Sequence, residues 1–277
     1  MSTYCIADIH GCYDEFMELL QLISFNPDED ILYVLWDVID RGDRPIDCLQ
    51  YIMRTKNVHL LLGNHEHMML DYFDCNNGSS WFKNKNGMTL LQYNLLSGVE
   101  TEKIIKYLRN RPLYKTVNVN NRRFFLSHAG LNAAVPFKHQ QKKHLIWGRE
   151  DFYQYVALPN HICIFGHTPT SSLYKKDCSI WLDELHNDKI NIDCGCVFGG
   201  ALAALRLDDG AIFYVKSKSR INFESQLSAH RQSYDPDKGT LEPDSSFGPA
   251  FVPKSFLDAD RKSRHMDHVL AEFGLDF

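Results

Sequence analysis

A layered α/β fold containing two sheets is predicted for this 277-residue chain by three observations. Short apolar runs alternate with stretches of helical periodicity through the first third of the chain. The first runs are apolar throughout, as strands covered on both faces are. Beyond residue 112 the rhythm changes to closely spaced strands. In order, Thr3–Ile9 reads as a strand, and Cys12–Ile23 places Phe16, Leu19, Leu20 and Ile23 at helical spacing. Ile31–Trp36 is a second strand, followed by a helix after Pro45. His59–Leu62 is a third strand leading into a helix at His67–Phe73. Residues 76–111 read as mostly helical and rich in Asn and Lys, which suits an inserted cap. Leu113–Val119 and Arg122–Ser127 flank Asn120-Asn121, the spacing of a two-residue hairpin. Ile162–Phe165, Ile190–Ile192, Ala201–Leu207 and Ala211–Lys216 are expected to extend a second, more antiparallel sheet, with Asp208-Asp209-Gly210 joining the last two. Residues 1–216 then form one domain. Residues 217–277, where apolar residues thin out, form an irregular extension packed on or trailing from it, with a short helix near Met266–Phe273.

Composition narrows the function. At 44% hydrophobic and 23% charged residues, the chain has ordinary globular usage, which excludes a disordered or collagen-like chain. Apolar runs such as Leu60-Leu61-Leu62 fall far short of the ~20 residues that span a bilayer. Met1-Ser2-Thr3-Tyr4 carries no basic residue and Asp8 soon interrupts the apolar stretch, so a cytoplasmic location is expected. A net charge of −5 argues against a broad basic surface, and no DNA or RNA binding is expected. None of the eight cysteines forms a C-x-x-C pair. They are expected to be small buried thiols in a reducing compartment, with Cys194-Gly195-Cys196 as a candidate redox or metal pair.

Polar residues cluster where the strands end, which is where open α/β sheets build their sites. Asp8-Ile9-His10 follows the first strand, Asp37 to Gly42 the second, and Gly63-Asn64-His65-Glu66 the third. Ser127-His128-Ala129-Gly130 and Gly166-His167-Thr168-Pro169 follow two later ones. Singly, each has an innocent reading: a turn-forming Asp, a helix-capping Asn64, a surface Arg41, a structural histidine. Five strand ends delivering Asp, His, Asn and Arg to one rim do not. If the extended backbone persists through 8 and 10, alternation places both side chains on one face. Carboxylate, amide and imidazole ligands suit a divalent ion such as Mn, Fe or Zn. Neither a G-x-S-x-G elbow nor a P-loop is present.

These segments resemble the phosphoprotein phosphatase branch of the calcineurin-like metallophosphoesterases. Ala7-Asp8-Ile9-His10-Gly11, Trp36-Asp37-Val38-Ile39-Asp40-Arg41-Gly42, Gly63-Asn64-His65-Glu66, His128-Ala129-Gly130 and Gly166-His167 stand in the family's order, with Ala7 and Trp36 where it has glycine. The resemblance implies an α/β/β/α sandwich of two mixed sheets and two divalent ions, best Mn²⁺. Asp8 and His10 would hold one ion and Asn64, His128 and His167 the other, with Asp37 bridging. A hydroxide between the ions would attack phosphorus directly. His65 would act as general acid, oriented by Asp40. Arg41 and Asn64 would bind phosphate, and so would Arg149 in the weaker match Trp147-Gly148-Arg149-Glu150. By this resemblance the substrate is first a serine/threonine phosphoprotein. The alternative is a nucleotide of the kind cleaved by symmetrical diadenosine tetraphosphatases, whose site is similar. Trp36 is expected to be buried and, by strand alternation, to point away from the ions.

Overall fold

The computed structural model describes residues 1–148, 152–173 and 178–218 of the chain. It opens with β1 (Thr3–Ala7), α1 (Tyr13–Leu22), β2 (Ile31–Leu35), α2 (Pro45–Arg54) and β3 (Val58–Leu60). Four helices follow: α3 (Asn64–Cys75), α4 (Ser79–Phe82), α5 (Gly87–Asn94) and α6 (Gly98–Arg109). Then come β4 (Tyr114–Val119), β5 (Arg122–Ser127), α7 (Lys142–Ile146), β6 (Ile162–Phe165), α8 (Thr170–Leu173), β7 (Trp181–Leu182), β8 (Lys189–Asn191), β9 (Ala201–Arg206) and β10 (Ile212–Lys216).

Two five-stranded mixed sheets result, in the orders β10-β9-β1-β2-β3 and β4-β5-β6-β8-β7. β1, β2 and β3 are parallel, as their helical crossovers require. The hairpin β9–β10 differs from expectation. It adds antiparallel to β1 and so belongs to the first sheet. The reason is physical: all five residues of β1 are buried, and without β9 its second edge would leave unpaired backbone groups away from water. The second sheet is accordingly no more antiparallel than parallel: β4–β5 and β7–β8 are antiparallel, β5–β6 and β6–β8 parallel.

Alternation along β5 separates the layers. Phe124 and Leu126 join a core shared with Ile6, Val34, Ile164 and Ile190, between the sheets. Phe125 instead packs with Phe152, Phe165 and Leu145 on the outer face. Residues 76–111 carry α4, α5 and α6. The last of these starts at a capping box in which the Ser97 hydroxyl accepts from the Glu100 N–H while the Glu100 carboxylate accepts from the Ser97 N–H. Trp81, Tyr93, Ile104 and Leu108 bury this segment against the main core. The helix expected near Met266–Phe273 and the extension beyond Lys218 lie outside the described residues.

Candidate active site

The strand ends do converge, but not by strand alternation. Extended backbone stops at Ala7 and Leu35, and the next residues turn into left-handed conformations: Asp8 at φ 50°, His10 at 45°, Asp37 at 43°, Asp40 at 69° and Arg41 at 68°. Each costs on the order of 1 kcal/mol for a non-glycine residue and persists only where surroundings enforce it. Here the two loops bond to each other. The His10 N–H donates to the Asp37 carbonyl at 2.7 Å and the Gly11 N–H to that of Val38 at 2.8 Å. Glu66, fully buried, pins the second loop to the third: Oε1 accepts from the N–H groups of Val38 (2.8 Å) and Ile39 (3.2 Å), and Oε2 from that of Gly63 (3.3 Å). Burial pushes the Glu66 carboxyl up to about 7 against those donors. Close approach also explains two glycines. A Cβ on Gly63 would lie 2.4 Å from Asp37 Oδ1, and one on Gly166 would lie 2.0 Å from Asp8 Oδ2.

Around this frame, Asp37 sits centrally. Its Oδ2 is 3.4 Å from His128 Nε2, 3.6 Å from His10 Nε2 and 3.9 Å from His65 Nε2. The trios His10–Asp37–His65 and Asp37–His128–His167 each bring their ligand atoms within 4.8 Å, and Asp37 belongs to both. Asn64 Oδ1 meets His128 Nε2 at 2.7 Å, so the amide faces the second trio. Asp8 is turned toward the fifth loop, where its two oxygens accept from the His167 N–H at 3.2 and 3.1 Å, and it belongs to neither trio. Arg41 reaches inward, with one guanidinium nitrogen 2.5 Å from His10 Nε2 and the other 2.9 Å from His65 Nε2, while its plane lies over Phe198. Arg149 lies outside the described residues.

The donors fit a divalent pair. His10 donates through Nδ1–H to the Ile39 carbonyl at 2.9 Å, which leaves Nε2 unprotonated, the tautomer a metal requires, with its lone pair accepting from Arg41 in this structure. Burial, reinforced by Arg41 for His10 and by His167 for His128, pushes both imidazoles well below their usual range, so they are neutral. The carboxyls of Asp8 and Asp37 are driven far above theirs, first by burial and then by the acidic neighbours Asp193 and Glu66 respectively. Buried carboxyls that resist ionising alone, ringed by neutral nitrogen donors, are stabilised as anions by cations.

His65 and Asp40 form a second unit. His65 Nδ1 bonds Asp40 Oδ2 at 2.6 Å with both side chains buried. Two residues of the 76–111 segment, unforeseen from the sequence, complete it: Trp81 Nε1–H donates to Asp40 Oδ2 at 2.8 Å and the Thr89 hydroxyl to Oδ1 at 2.6 Å. Thr89 Oγ1 also accepts from the Asp40 N–H at 2.9 Å. Thr89→Val, which keeps the shape and deletes both bonds, should lower turnover about 10-fold or more, the usual effect of removing an outer hydrogen-bond partner that orients a site residue. Steady-state kinetics on the purified variant check this, with unfolding curves as control.

Trp36 is fully buried, as expected. Its orientation is not, because β2 ends at Leu35 and Trp36 adopts φ 75°, a conformation that explains glycine at this position in the resembling family. The indole lies edge-on to His128, 5.4 Å between ring centroids, and its Nε1 has no hydrogen-bond partner. Trp36→Gly would relieve about 1 kcal/mol of left-handed strain but vacate a large buried volume worth ~3–5 kcal/mol. A net loss of about 2–4 kcal/mol, read by denaturant unfolding, is expected.

Known proteins share this architecture. Over 132 residues the chain is 36% identical to the symmetrical bis(5'-nucleosyl)-tetraphosphatase of Salmonella paratyphi B, covering 47% of this chain and 44% of that one. It is 33% identical over the same length and shares to the enzyme of that name from Buchnera aphidicola. The matched region is thus less than half of these curated relatives. A crystal structure provisionally assigned as a diadenosine tetraphosphatase superposes with a TM-score of 0.61 at 19% identity, over 78% of this chain and 93% of that one. A protein serine/threonine phosphatase from Saccharomyces cerevisiae gives 0.53 at 14% identity, over 79% and 80%. These two likenesses concern the fold. The family model described as calcineurin-like phosphoesterase matches residues 1–202, and the chain belongs to that family.

Proposed function

We propose that this protein is a divalent-metal-dependent phosphoesterase whose substrates are dinucleoside polyphosphates. The observation that carries the chemistry is one buried carboxylate, Asp37, shared by two nitrogen-rich trios. Asp8 and His10 would hold one ion, Asn64, His128 and His167 the other, and Asp37 both. When bound, the pair supplies positive charge to the phosphoryl oxygens and acidifies water to a nucleophile at neutral pH. The chain's own residues do the rest. Arg41 has guanidinium donors to spend on a phosphate once they leave His10 and His65. Asp40 accepts the Nδ1 proton of His65 and so directs Nε2 into the pocket, where the protonated ring delivers a proton to the departing oxygen. In a symmetrical cut of a tetraphosphate, water adds its hydroxyl to one inner phosphorus. The oxygen bridging the inner pair leaves with the other, and two nucleoside diphosphates result.

Two observations favour a nucleotide over a phosphoprotein. The curated relatives matched at 36% identity carry a nucleotide-cleaving name. Beside the site, Trp147 keeps 43% of its surface exposed with its ring 6.0 Å from His167, a stacking face for a base. Trp147→Ala should therefore raise KM for diadenosine tetraphosphate on the order of 10-fold, about one base-stacking contact, and leave p-nitrophenyl phosphate hydrolysis unchanged. Phosphate release from phosphoserine peptides with no cleavage of the dinucleotide would replace this substrate with a phosphoprotein.

A further inference from the structure

On the far side of the Gly11 turn lies a second group of metal-ligating side chains that the proposed reaction does not use. Cys12 stands at the N-cap of α1, Glu15 in its first turn, and Cys196 in the short turn at Cys196–Phe198 ahead of β9. All three are buried, and their ligand atoms lie within 4.8 Å of one another. Nothing about the helix explains Glu15. A glutamate three residues past an N-cap ordinarily reaches back to the N-cap amide. Here the Cys12 N–H already donates to the Ile9 carbonyl at 3.0 Å, and the Cys12 thiol makes no capping bond. Glu15 turns inward to the thiols instead, where among the described residues Oε1 accepts a backbone N–H, that of Lys218 at 2.7 Å. The Lys218 ammonium is held by Glu18 at 2.6 Å. A carboxylate this buried is stabilised by a cation, and the two sulfurs beside it are soft ligands.

From this geometry we infer that Cys12, Glu15 and Cys196 form a third metal site, with the chemistry of Zn²⁺. Tetrahedral zinc at ~2.3 Å from sulfur holds its sulfur ligands about 3.8 Å apart, so the trio closes on an ion by about 1 Å at most. Two thiolates and a carboxylate around a dication leave a net charge of −1, placed at the positive end of the ten-residue α1. The ion would tie the start of α1 to the turn ahead of β9 and, through the Lys218 amide, to the chain leaving β10. The fourth position falls to water.

The inference does not rest on the proposed reaction, and one titration separates the two. Metal-free protein, kept reduced with a phosphine, is titrated with Co²⁺ and scanned in the near ultraviolet for thiolate-to-cobalt charge transfer. The residues around Asp37 include no sulfur, and loss of the band in Cys12→Ala and Cys196→Ala separates these two thiols from the chain's six other cysteines. The wild-type chain should show it and should bind about three zinc ions by elemental analysis, against about two in Cys196→Ala, which should lose the band. Asp37→Asn should keep the band with about one ion. Glu15→Gln preserves volume and both thiols, and should weaken zinc binding about 10-fold or more, which keeps the test decisive if a cysteine variant fails to fold. A folded, reduced wild-type protein with no band, or with a band undiminished in Cys12→Ala and Cys196→Ala, overturns the site. So does Glu15→Gln binding zinc as tightly as the wild type.

Discussion

Asp37→Asn should empty both ion positions and reduce hydrolysis by at least on the order of 10³-fold, beyond the 10–100-fold typical of an outer partner. Its Oδ2 lies within 3.9 Å of nitrogen atoms from three histidines, and no other side chain belongs to both ligand trios. Replacing it with an amide removes the negative charge both ions share and changes little else in volume. Asp37 Oδ1 has a structural task, accepting the His65 N–H at 3.2 Å, and an asparagine oxygen can retain it. The fold should survive and the metals should not. Elemental analysis of the folded variant, beside the wild type, checks the pairing; two retained ions would remove Asp37 from its bridging role.

His65→Asn should act differently. It should lower turnover by a factor on the order of 10²–10⁴ while leaving the metal content as in the wild type. The ring is tied to Asp40, and Asp40 in turn to Trp81 and Thr89, so the whole assembly positions one nitrogen. Burial lowers the pKa of this imidazole, and the Asp40 carboxylate opposes that shift. Proton delivery matters most when the departing oxygen is a poor leaving group. The loss should therefore be largest with phosphoserine peptides, whose departing alkoxide is strongly basic, and smaller with dinucleoside tetraphosphates and p-nitrophenyl phosphate, whose departing oxygens are weakly basic. Rates across the three substrates test the order. A uniform loss accompanied by missing metal would make His65 a ligand, a role its place in the His10–Asp37–His65 trio also permits.

Much of this site is legible in the sequence because its residues sit in short motifs at strand ends, and strand ends are what apolar runs reveal. The convergence of Asp37, Asn64, His65, His128 and His167 follows from that alone. What periodicity misses is the conformation past the strand. The left-handed turns at Asp8, His10 and Trp36 break the alternation that would have sent Trp36 away from His128. Tertiary partners are equally invisible. Trp81 and Thr89 reach Asp40 across 41 and 49 residues, with no local pattern to mark them. Glu66 stands inside the Gly63–Glu66 motif, yet only the fold reveals that it anchors the Asp37 loop. The placement of β9 was hidden for a related reason: its apolar run suits either sheet, and the open edge of β1 decides.

The central claim, that a metal pair held around Asp37 cleaves a nucleotide polyphosphate, is tested most directly by product analysis under metal control. The protein is freed of metal with a chelator, allowed time to equilibrate, and incubated with diadenosine tetraphosphate, the products being resolved by chromatography. No cleavage is expected in the chelated protein. Two molecules of adenosine diphosphate per substrate should appear once divalent ions return, with Mn²⁺ restoring the rate best among common ions. Undiminished cleavage in excess chelator would contradict the metal mechanism, and an intact dinucleotide in the Mn²⁺-loaded, folded enzyme would contradict the substrate.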